Sequence, residues 1–440
     1  MYMDYQAIVN WLDVALVLAF LFFSCFLWYY FLYFAVAAKK PKRLPRSFNY
    51  AKFALLIPAR NESKVIRNIL NACSKLSYPR DKFEVYVIVE SKDDPTCNIV
   101  EEYGFKVVVR GDLTNRRTKG FALDDAYQEI KKSGIVYDAF MIFDADNVMN
   151  SDYLKLMNDV YQAGYQVGVG YRSFTNATKN WVCGCSATLF SFMNQFTSRG
   201  RSKFFEKATL TGTGYFIARE IVDNEGGWIW NGMTEDVQLT TYCYYHNIRM
   251  HYYPFARYFD EQPEKFSVLN KQHVRWLWGF FASRKRFKEQ TNVYPCTNKV
   301  KRRFSLIEYN SSIYPFIAFA VVATLTSLAS FGLFIASLID NSVQSGWLFV
   351  HFLFQFTILY LIFIFISAFT IAIDNKNLKF TSSQCIVICL TYIIFFSSFV
   401  MALFSGLFHK EKRTDWKTIE HTGNIIDEQA LRSEEDGKRR

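Results

Sequence analysis

Nine cysteines are scattered along the 440 residues without a single Cys-x-x-Cys pair, so their spacing offers neither a disulfide framework nor a zinc site. Cys183 and Cys185, with one residue between them, make the only suggestive spacing, and two buried or interfacial thiols in a reducing cytosol account for it. The six histidines include no His-Glu-x-x-His pattern, which leaves carboxylates to hold any metal. Asp, Glu, Lys and Arg are missing from three apolar runs, 311–338, 346–373 and 385–408, until Asp374 closes the second. No small-residue cleavage pattern follows the apolar stretch near the N-terminus, which argues against a signal peptide.

What is present instead is apolar and aromatic. Aromatic residues make up 18% of the chain, with 44 Phe and 27 Tyr, a richness that exceeds an average soluble domain and suits helices in lipid and at its interface. Disorder is excluded for most of the length. Residues 11–37 are almost uncharged and exceed the roughly 20 apolar residues that a bilayer crossing requires. Together with the three later runs they are the spanning candidates. They carry essentially no ionisable groups, which disfavours a transporter or channel, because such proteins place charges inside their spans to bind what they move.

Net charge is +11, and the basic residues gather beside apolar segments: Lys39, Lys40, Lys42, Arg43 and Arg46, then Arg284, Lys285, Arg286 and Lys288, then Lys299, Lys301, Arg302 and Arg303. Clusters so placed read as cytoplasmic flanks attracted to anionic lipid rather than as a nucleic-acid surface. The cluster after the first span sets the N-terminus outward and the middle of the chain in the cytoplasm. One span before and three after would carry Lys410, Lys412 and Arg413 outward, against the positive-inside tendency. Either one run does not cross or one is a hairpin. Residues 411–440 are charged and poor in apolar side chains, as a loosely docked tail would be.

Between 51 and 170, short apolar runs alternate with amphipathic stretches. Strands are predicted at 53–57, 84–89, 105–109, 139–143 and 166–170, with helical spacing in Val65, Ile66, Ile69, Leu70 and Cys73 and again in Phe121, Leu123, Ala126, Tyr127 and Ile130. Alternating strands and helices imply a parallel sheet covered by helices, with the ligand at the carboxyl ends of the strands. Glu90 and Asp144 fall at such ends. Residues 180–205 and 265–290 are apolar and aromatic but interrupted by Lys, Arg and Gln, the pattern of helices lying on a membrane face.

Three short strings carry the chemistry. Asp144-Ala145-Asp146 follows a strand, where carboxylates one residue apart can hold a divalent cation against phosphates; two acids in a solvated loop would look the same. Thr234-Glu235-Asp236 offers a carboxylate able to take a proton from a hydroxyl, or a helix start with Thr234 as N-cap. Gln272-His273-Val274-Arg275-Trp276 adds a guanidinium for paired phosphate contacts and an indole for sugar stacking, although Arg-Trp in an amphipathic helix is also an interfacial anchor.

In this order the strings resemble the membrane-embedded family 2 inverting glycosyltransferases, which include cellulose synthase, chitin-oligosaccharide synthase and poly-N-acetylglucosamine synthase. The resemblance covers about 51–290 by motif and the flanking spans by arrangement. It implies an α/β cytosolic GT-A-like domain, a Rossmann-like mixed sheet with helices on both faces, plus α-helical transmembrane spans and interfacial helices. The segments are then 1–38 (first span), 51–262 (transferase domain), 263–305 (interfacial helices), 306–410 (later spans) and 411–440 (tail).

By the same resemblance, Pro58-Ala59-Arg60-Asn61-Glu62 matches the donor-site Pro-x-x-Asn-Glu, so Pro58 and Glu62 join the nucleotide-sugar site. Glu90 stands where the family usually has Asp near the base or ribose, with Asp93 and Asp94 close enough to share the role, and Lys119-Gly120 brings Lys119 to the diphosphate. Asp144 would bind nucleotide and, with Asp146, a Mg²⁺ or Mn²⁺ ion. Asp236, beside Glu235, would be the general base. Gln272 and Arg275 would lie across the pyrophosphate and Trp276 at the acceptor, with Gly212 and Thr213 of Thr211-Gly212-Thr213-Gly214 beside it; a tight turn explains that segment equally. Glu261-Gln262-Pro263 has no separate physical role at this level, and Trp416-Lys417-Thr418 with His421 looks like a motif that follows the last span in some relatives.

The expected activity is that of a processive polysaccharide synthase in the plasma membrane, multi-pass with its catalytic domain cytoplasmic. It would add glucose or N-acetylglucosamine from a UDP-sugar, with inversion, to a growing β-linked glycan. The alternative is a non-processive transferase acting on a membrane lipid such as a polyprenyl phosphate or diacylglycerol. Expected partners are the UDP-sugar donor, a glycan or lipid acceptor and membrane lipid, with no nucleic acid; an export partner or homo-oligomer is left open.

Overall fold

A computed structural model describes residues 5–25, 28–111, 113–287, 299–311, 314–340 and 344–408. The chain opens with α1 (Tyr5–Cys25) and α2 (Trp28–Ala37). A sheet domain follows, with β1 (Phe53–Pro58), α3 (Ile66–Ser74), β2 (Phe83–Val89), α4 (Thr96–Glu102), β3 (Lys106–Val109), α5 (Lys119–Lys132), β4 (Ala139–Ile142), β5 (Val148–Met149), α6 (Tyr153–Gln162) and β6 (Val167–Phe174). Next come α7 (Trp181–Phe192), a π-helical stretch at Met193–Ser198, α8 (Arg199–Phe205), β7 (Tyr215–Ala218), α9 (Arg219–Asn224), α10 (Glu235–Tyr245) and β8 (Met250–Asp260). The remainder is helical: α11 (Phe266–Phe287), α12 (Lys299–Ser311), α13 (Tyr314–Ile339), α14 (Ser345–Leu378) and α15 (Ser382–Phe408).

The eight strands form one sheet in the order β3-β2-β1-β4-β7-β6-β8-β5. β1, β2, β3 and β4 are mutually parallel, whereas β7 runs antiparallel to both β4 and β6. The sheet is therefore mixed, as the resemblance implied: the parallel order read from residues 51–170 holds for β1 to β4, while β7 and β5 run antiparallel to their neighbours. Strand β1 explains the burial: Phe53, Leu55 and Ile57 enter the core under α3, α4 and α6, while Ala54 and Leu56 enter the core under α5 and α10. Side chains alternate faces with period two, so a strand covered on both faces must be apolar throughout.

Among the described residues, four helices are long and apolar enough to cross a membrane: Tyr5–Cys25, Val321–Ile339, Ser345–Leu378 and Ser382–Ser405. The predicted first span is divided between α1 and α2. Arg199 Nη1 donates to the Ala37 carbonyl (3.2 Å) at the end of α2, and Tyr171 donates to Asp374 (2.5 Å) near the end of α14. Gln384 at the start of α15 donates to the Thr178 carbonyl (2.7 Å). These bonds tie the ends of α2, α14 and α15 to segment 171–199 of the chain. A third core, built from Val182, Cys185, Leu269, Ile371, Ile388 and Tyr392, welds α7 and α11 to α14 and α15. Both cysteines of the Cys183/Cys185 spacing are buried free thiols.

One expectation is corrected. The spans are not without ionisable chemistry: Asp13 in α1 accepts from His351 Nε2 (3.0 Å) and Gln355 Nε2 (2.9 Å) of α14. A hydropathy average hides a single acid in a mostly apolar helix, and here the acid is satisfied by a partner helix. The motif at Trp416-Lys417-Thr418 with His421, the cations Lys288, Lys410, Lys412 and Arg413, and the tail 411–440 lie outside the described residues.

Candidate active site

The turn after β4 holds Asp144 and Asp146. The Asp144 amide donates to Thr213 Oγ1 (3.0 Å) and the Gly214 amide to the Ile142 carbonyl (2.9 Å), which fastens the turn to the loop before β7. Gly212 in that loop has φ +89°, a left-handed conformation that glycine adopts without steric cost. Its carbonyl accepts from Lys119 Nζ (2.7 Å).

Lys119 is the first residue of α5, preceded by Thr118, whose hydroxyl donates to the Asn231 carbonyl (2.8 Å). Its ammonium bonds the Asp144 carboxylate and lies 3.7 Å from Glu235 Oε1. Burial alone would lower the Lys119 pKa, but Asp144, Glu235 and Asp236 outweigh it and the net shift is upward. The ammonium sits at a helix N-terminus, where the positive end of the backbone dipole already favours anions.

Glu235 and Asp236 open α10. Burial pushes the Glu235 carboxyl up to about 7, with Lys119 opposing and Asp236 adding to the rise. Asp236 is raised as well, by burial first, against the Val237 amide, Lys119 and Arg275. The Val237 amide donates to Asp236 Oδ1 (2.8 Å), while Oδ2 lies on the Gly212 side, 3.7 Å from where a Cβ of Gly212 would stand. Thr234 occupies the N-cap position, yet its hydroxyl makes no capping bond and has no hydrogen-bond partner among the described residues. The predicted cap is thus one of position only, because Gly279 of α11 presses against that side chain: a Cβ there would come within 2.3 Å of Thr234 Oγ1.

That contact brings α11 over the start of α10. Arg275, half-buried, acts electrostatically on Asp236 and forms no ion pair among the described residues. Gln272 Oε1 is buried without a hydrogen-bond partner among the described residues, an acceptor available to a ligand hydroxyl. Trp276 meets the Phe190 ring of α7 edge-on, with centroids 5.9 Å apart, and lies tilted against His273 at 5.2 Å. His273 in turn is tied to Ser398 of α15 (2.5 Å).

Lys119, Asp144, Glu235, Asp236, Gly212, Thr213 and Arg275 therefore converge on one place. Glu90 lies in a cleft lined by Arg60, Asn61, Ser91, Asp93, Asp94 and Pro95, with Arg60 Nε 3.0 Å from its carboxylate. Asp94 accepts from the amides of Asn61 (3.1 Å) and Thr96 (2.9 Å), so it is occupied in fixing the turn after β1. Pro58 is the buried last residue of β1, and the Glu62 carbonyl accepts from the amides of Val65 and Ile66 to start the next helix.

Two residues at the site carry no motif of their own. Tyr215 is fully buried at the start of β7, its hydroxyl has no hydrogen-bond partner among the described residues, and burial followed by the charges of Glu235, Asp236 and Asp144 raises its pKa. Asn147 donates to Asp146 Oδ1 (3.1 Å), and adjacency to the Asp-x-Asp string was the one sequence signal for it. Among the described residues no group of three or more His, Cys, Asp or Glu is arranged to hold a metal ion. The donor set still fits a hard divalent cation that keeps water and ligand phosphates in its shell: Asp144 and Asp146 offer carboxylate oxygens, both only partly buried.

The profile of the glycosyltransferase-like family 2 matches residues 51–279. A probable glycosyltransferase of Bacillus subtilis (strain 168), YdaM, is 34% identical over 241 residues, 52% of this chain and 55% of that protein. The beta-monoglucosyldiacylglycerol synthase of Trichormus variabilis is 27% identical over 237 residues (51% and 48%), and the poly-beta-1,6-N-acetyl-D-glucosamine synthase of Staphylococcus epidermidis 24% over 231 (51% and 54%). The chain spans about half the length of the curated relatives it matches. Among solved structures, the mannosyltransferase PcManGT of Pyrobaculum calidifontis, in complex with GDP-Man and Mn²⁺, shares the fold at TM-score 0.60 and 16% identity, over 91% of this chain and 100% of that one.

Proposed function

Because the chain belongs to the glycosyltransferase-like family 2, we propose that it transfers a sugar from a UDP-sugar, glucose or N-acetylglucosamine, to a growing β-linked glycan at the membrane, with inversion. The observation that carries this reading is the Lys119 ammonium held between Asp144 on the donor side and Glu235 beside Asp236 on the acceptor side. As the sugar departs, negative charge grows on the diphosphate. Fixed cations aimed at that charge stabilise the transition state in a site that need not reorganise. Lys119 and Arg275 supply them. A Mg²⁺ or Mn²⁺ ion bound at Asp144 and Asp146 would add charge neutralisation at the leaving phosphates.

Asp236 is the general base. The acceptor oxygen forms its bond to the anomeric carbon as the bond from that carbon to the phosphate oxygen breaks, and the hydroxyl proton passes to Asp236. A raised pKa suits this role, since a base works best with a pKa near the operating pH. Gln272 accepts from a sugar hydroxyl, and Trp276 borders the acceptor path. Glu90 with Arg60 receives the nucleoside, and Pro58 and Glu62 shape the turn beneath it.

Support for a glycan acceptor comes from the likeness to the poly-N-acetylglucosamine synthase and from the packing of α11 directly on span α15. A second reading, a single transfer to a membrane lipid, is favoured by the likeness to the monoglucosyldiacylglycerol synthase. The bonds that tie the ends of α2, α14 and α15 to segment 171–199 support a multi-pass plasma-membrane protein with a cytoplasmic active site. Membranes containing the protein, given labelled UDP-glucose or UDP-N-acetylglucosamine, should yield label in material that is insoluble in organic solvent and degraded by a β-glycosidase. Label confined to one organic-soluble glycolipid would establish the second reading instead.

A further inference from the structure

Arg172, Asp260 and Asn147 belong to none of the motifs above, yet they join into one buried chain. Arg172 lies in β6 just past an irregularity in the β6–β8 pairing at Gly170/Tyr171, and Asp260 ends β8. Bulges of this kind re-aim side chains next to functional sites. The Arg172 guanidinium donates to Asp260 Oδ2 through Nε (3.0 Å) and Nη2, and through Nη1 to the Thr211 carbonyl (2.9 Å). Its flat face lies 4.0 Å from the centroid of Phe190, the ring that meets Trp276.

On the other side, Asp260 Oδ1 accepts from Asn147 Nδ2 (3.0 Å), and the same amide nitrogen donates to Asp146 Oδ1. Asn147 Oδ1 accepts from Thr213 Oγ1 and from the Asp144 amide (3.3 Å). With two carboxylates facing its nitrogen and two donors facing its oxygen, the amide has one satisfied orientation. Gln262 Nε2 donates to Asp260 Oδ2 (2.7 Å), Ser186 donates to Gln262 Oε1 (2.5 Å), and Asn176 and Gln262 exchange side-chain to backbone bonds. That gives the Glu261-Gln262-Pro263 segment a physical task. Asn147, Asp260 and Arg172 are all buried. A buried ion pair adds little net stability over apolar packing, so its value here lies in orientation.

We propose that Asn147, Asp260 and Arg172 are positioning residues that lock the Asp146 carboxylate for a divalent cation and tie it to the Thr211–Thr213 loop, so that the donor and acceptor sides keep a fixed separation. The inference rests on the metal role given to Asp146 under the proposed function. Outer partners of metal-binding carboxylates typically contribute about 10- to 100-fold in metal affinity or activity.

The test is Mn²⁺ binding to the purified full-length protein, read by electron paramagnetic resonance with no nucleotide present. Asn147→Ala and Asp260→Asn should each weaken Mn²⁺ binding by about tenfold or more, while uridine diphosphate binding in EDTA stays unchanged. Arg172→Lys keeps the charge without the fork and should lose less. Asn158→Ala, which removes a different buried amide that accepts from the Ala51 amide (3.0 Å), serves as a control for general loosening. Unchanged Mn²⁺ affinity in a folded Asn147→Ala protein, or an equal loss in Asn158→Ala, overturns the proposal. If Asn147→Ala does not fold, Asp260→Asn and Arg172→Lys decide. Absence of Mn²⁺ binding in the unaltered protein would remove the metal reading itself and this inference with it, whereas a variant-only failure leaves that reading intact.

Discussion

Lys119 Nζ lies 3.7 Å from Glu235 Oε1 while also bonding the carboxylate of Asp144. One ammonium thus links the acid that follows β4 to the acids at the start of α10, which the proposed reaction assigns to the donor and acceptor sides.

This link sets the expected pH dependence. Burial raises Glu235 to about 7 and raises Asp236, and Lys119 opposes both shifts. A general base must be ionised, so the raised pKa of Asp236 makes transfer fall away on acidification at a pH above the ordinary carboxylate value of about 4. Lys119→Met removes the opposing charge and should move that acidic limb to higher pH, along with a lower maximal rate. Initial rates of transfer across roughly pH 3.5–9 check this; an acidic limb at or below the ordinary carboxylate pKa of about 4 in the unaltered protein would contradict it.

Asp146→Ala should abolish the response of transfer to added Mg²⁺ or Mn²⁺ and reduce the rate by about 100-fold or more, on the scale of losing one electrostatic stabiliser of the transition state. The check is a metal titration of initial rates after chelation. A variant that remains active and metal-responsive would show that the ion sits elsewhere.

Arg201 of α8 and Glu308 of α12 form a buried ion pair (2.9 Å) that joins the sheet domain to the helix preceding α13. Breaking such a pair by removing one partner leaves a buried charge unpaired and costs about 3–5 kcal/mol. Glu308→Leu should therefore lower thermal stability in detergent sharply, and the double variant Arg201→Met with Glu308→Leu should recover most of it. Thermal unfolding of the three proteins would refute this if the double variant were no more stable than the single one.

Much of this arrangement was legible from sequence. Strands at 53–57, 84–89 and 139–143 announced themselves as continuous apolar runs, the signature of strands buried on both faces, and β1, β2 and β4 fall there. β8 did not, because Met250–Asp260 mixes His, Pro and Arg into a strand whose pairing with β6 is irregular. The Asp144 turn and the Glu235–Asp236 helix start could be found because their acids are adjacent in the chain. The Arg172–Asp260 pair could not: 88 residues separate the partners, and neither spacing nor composition points from one to the other. Asp13 was discounted for a similar reason, since its partner His351 lies on another helix.

The central claim is that acids, ammonium and guanidinium gathered around Lys119 transfer a sugar with Asp236 as base. Its most direct measurement is release of UDP together with capture of labelled sugar by membranes carrying either the unaltered protein or Asp236→Asn, alongside UDP affinity for each. The account predicts loss of transfer by about 100-fold or more in the variant, with UDP affinity within a few-fold of the unaltered protein. Normal transfer by Asp236→Asn, or loss of nucleotide binding with residual turnover intact, would contradict it.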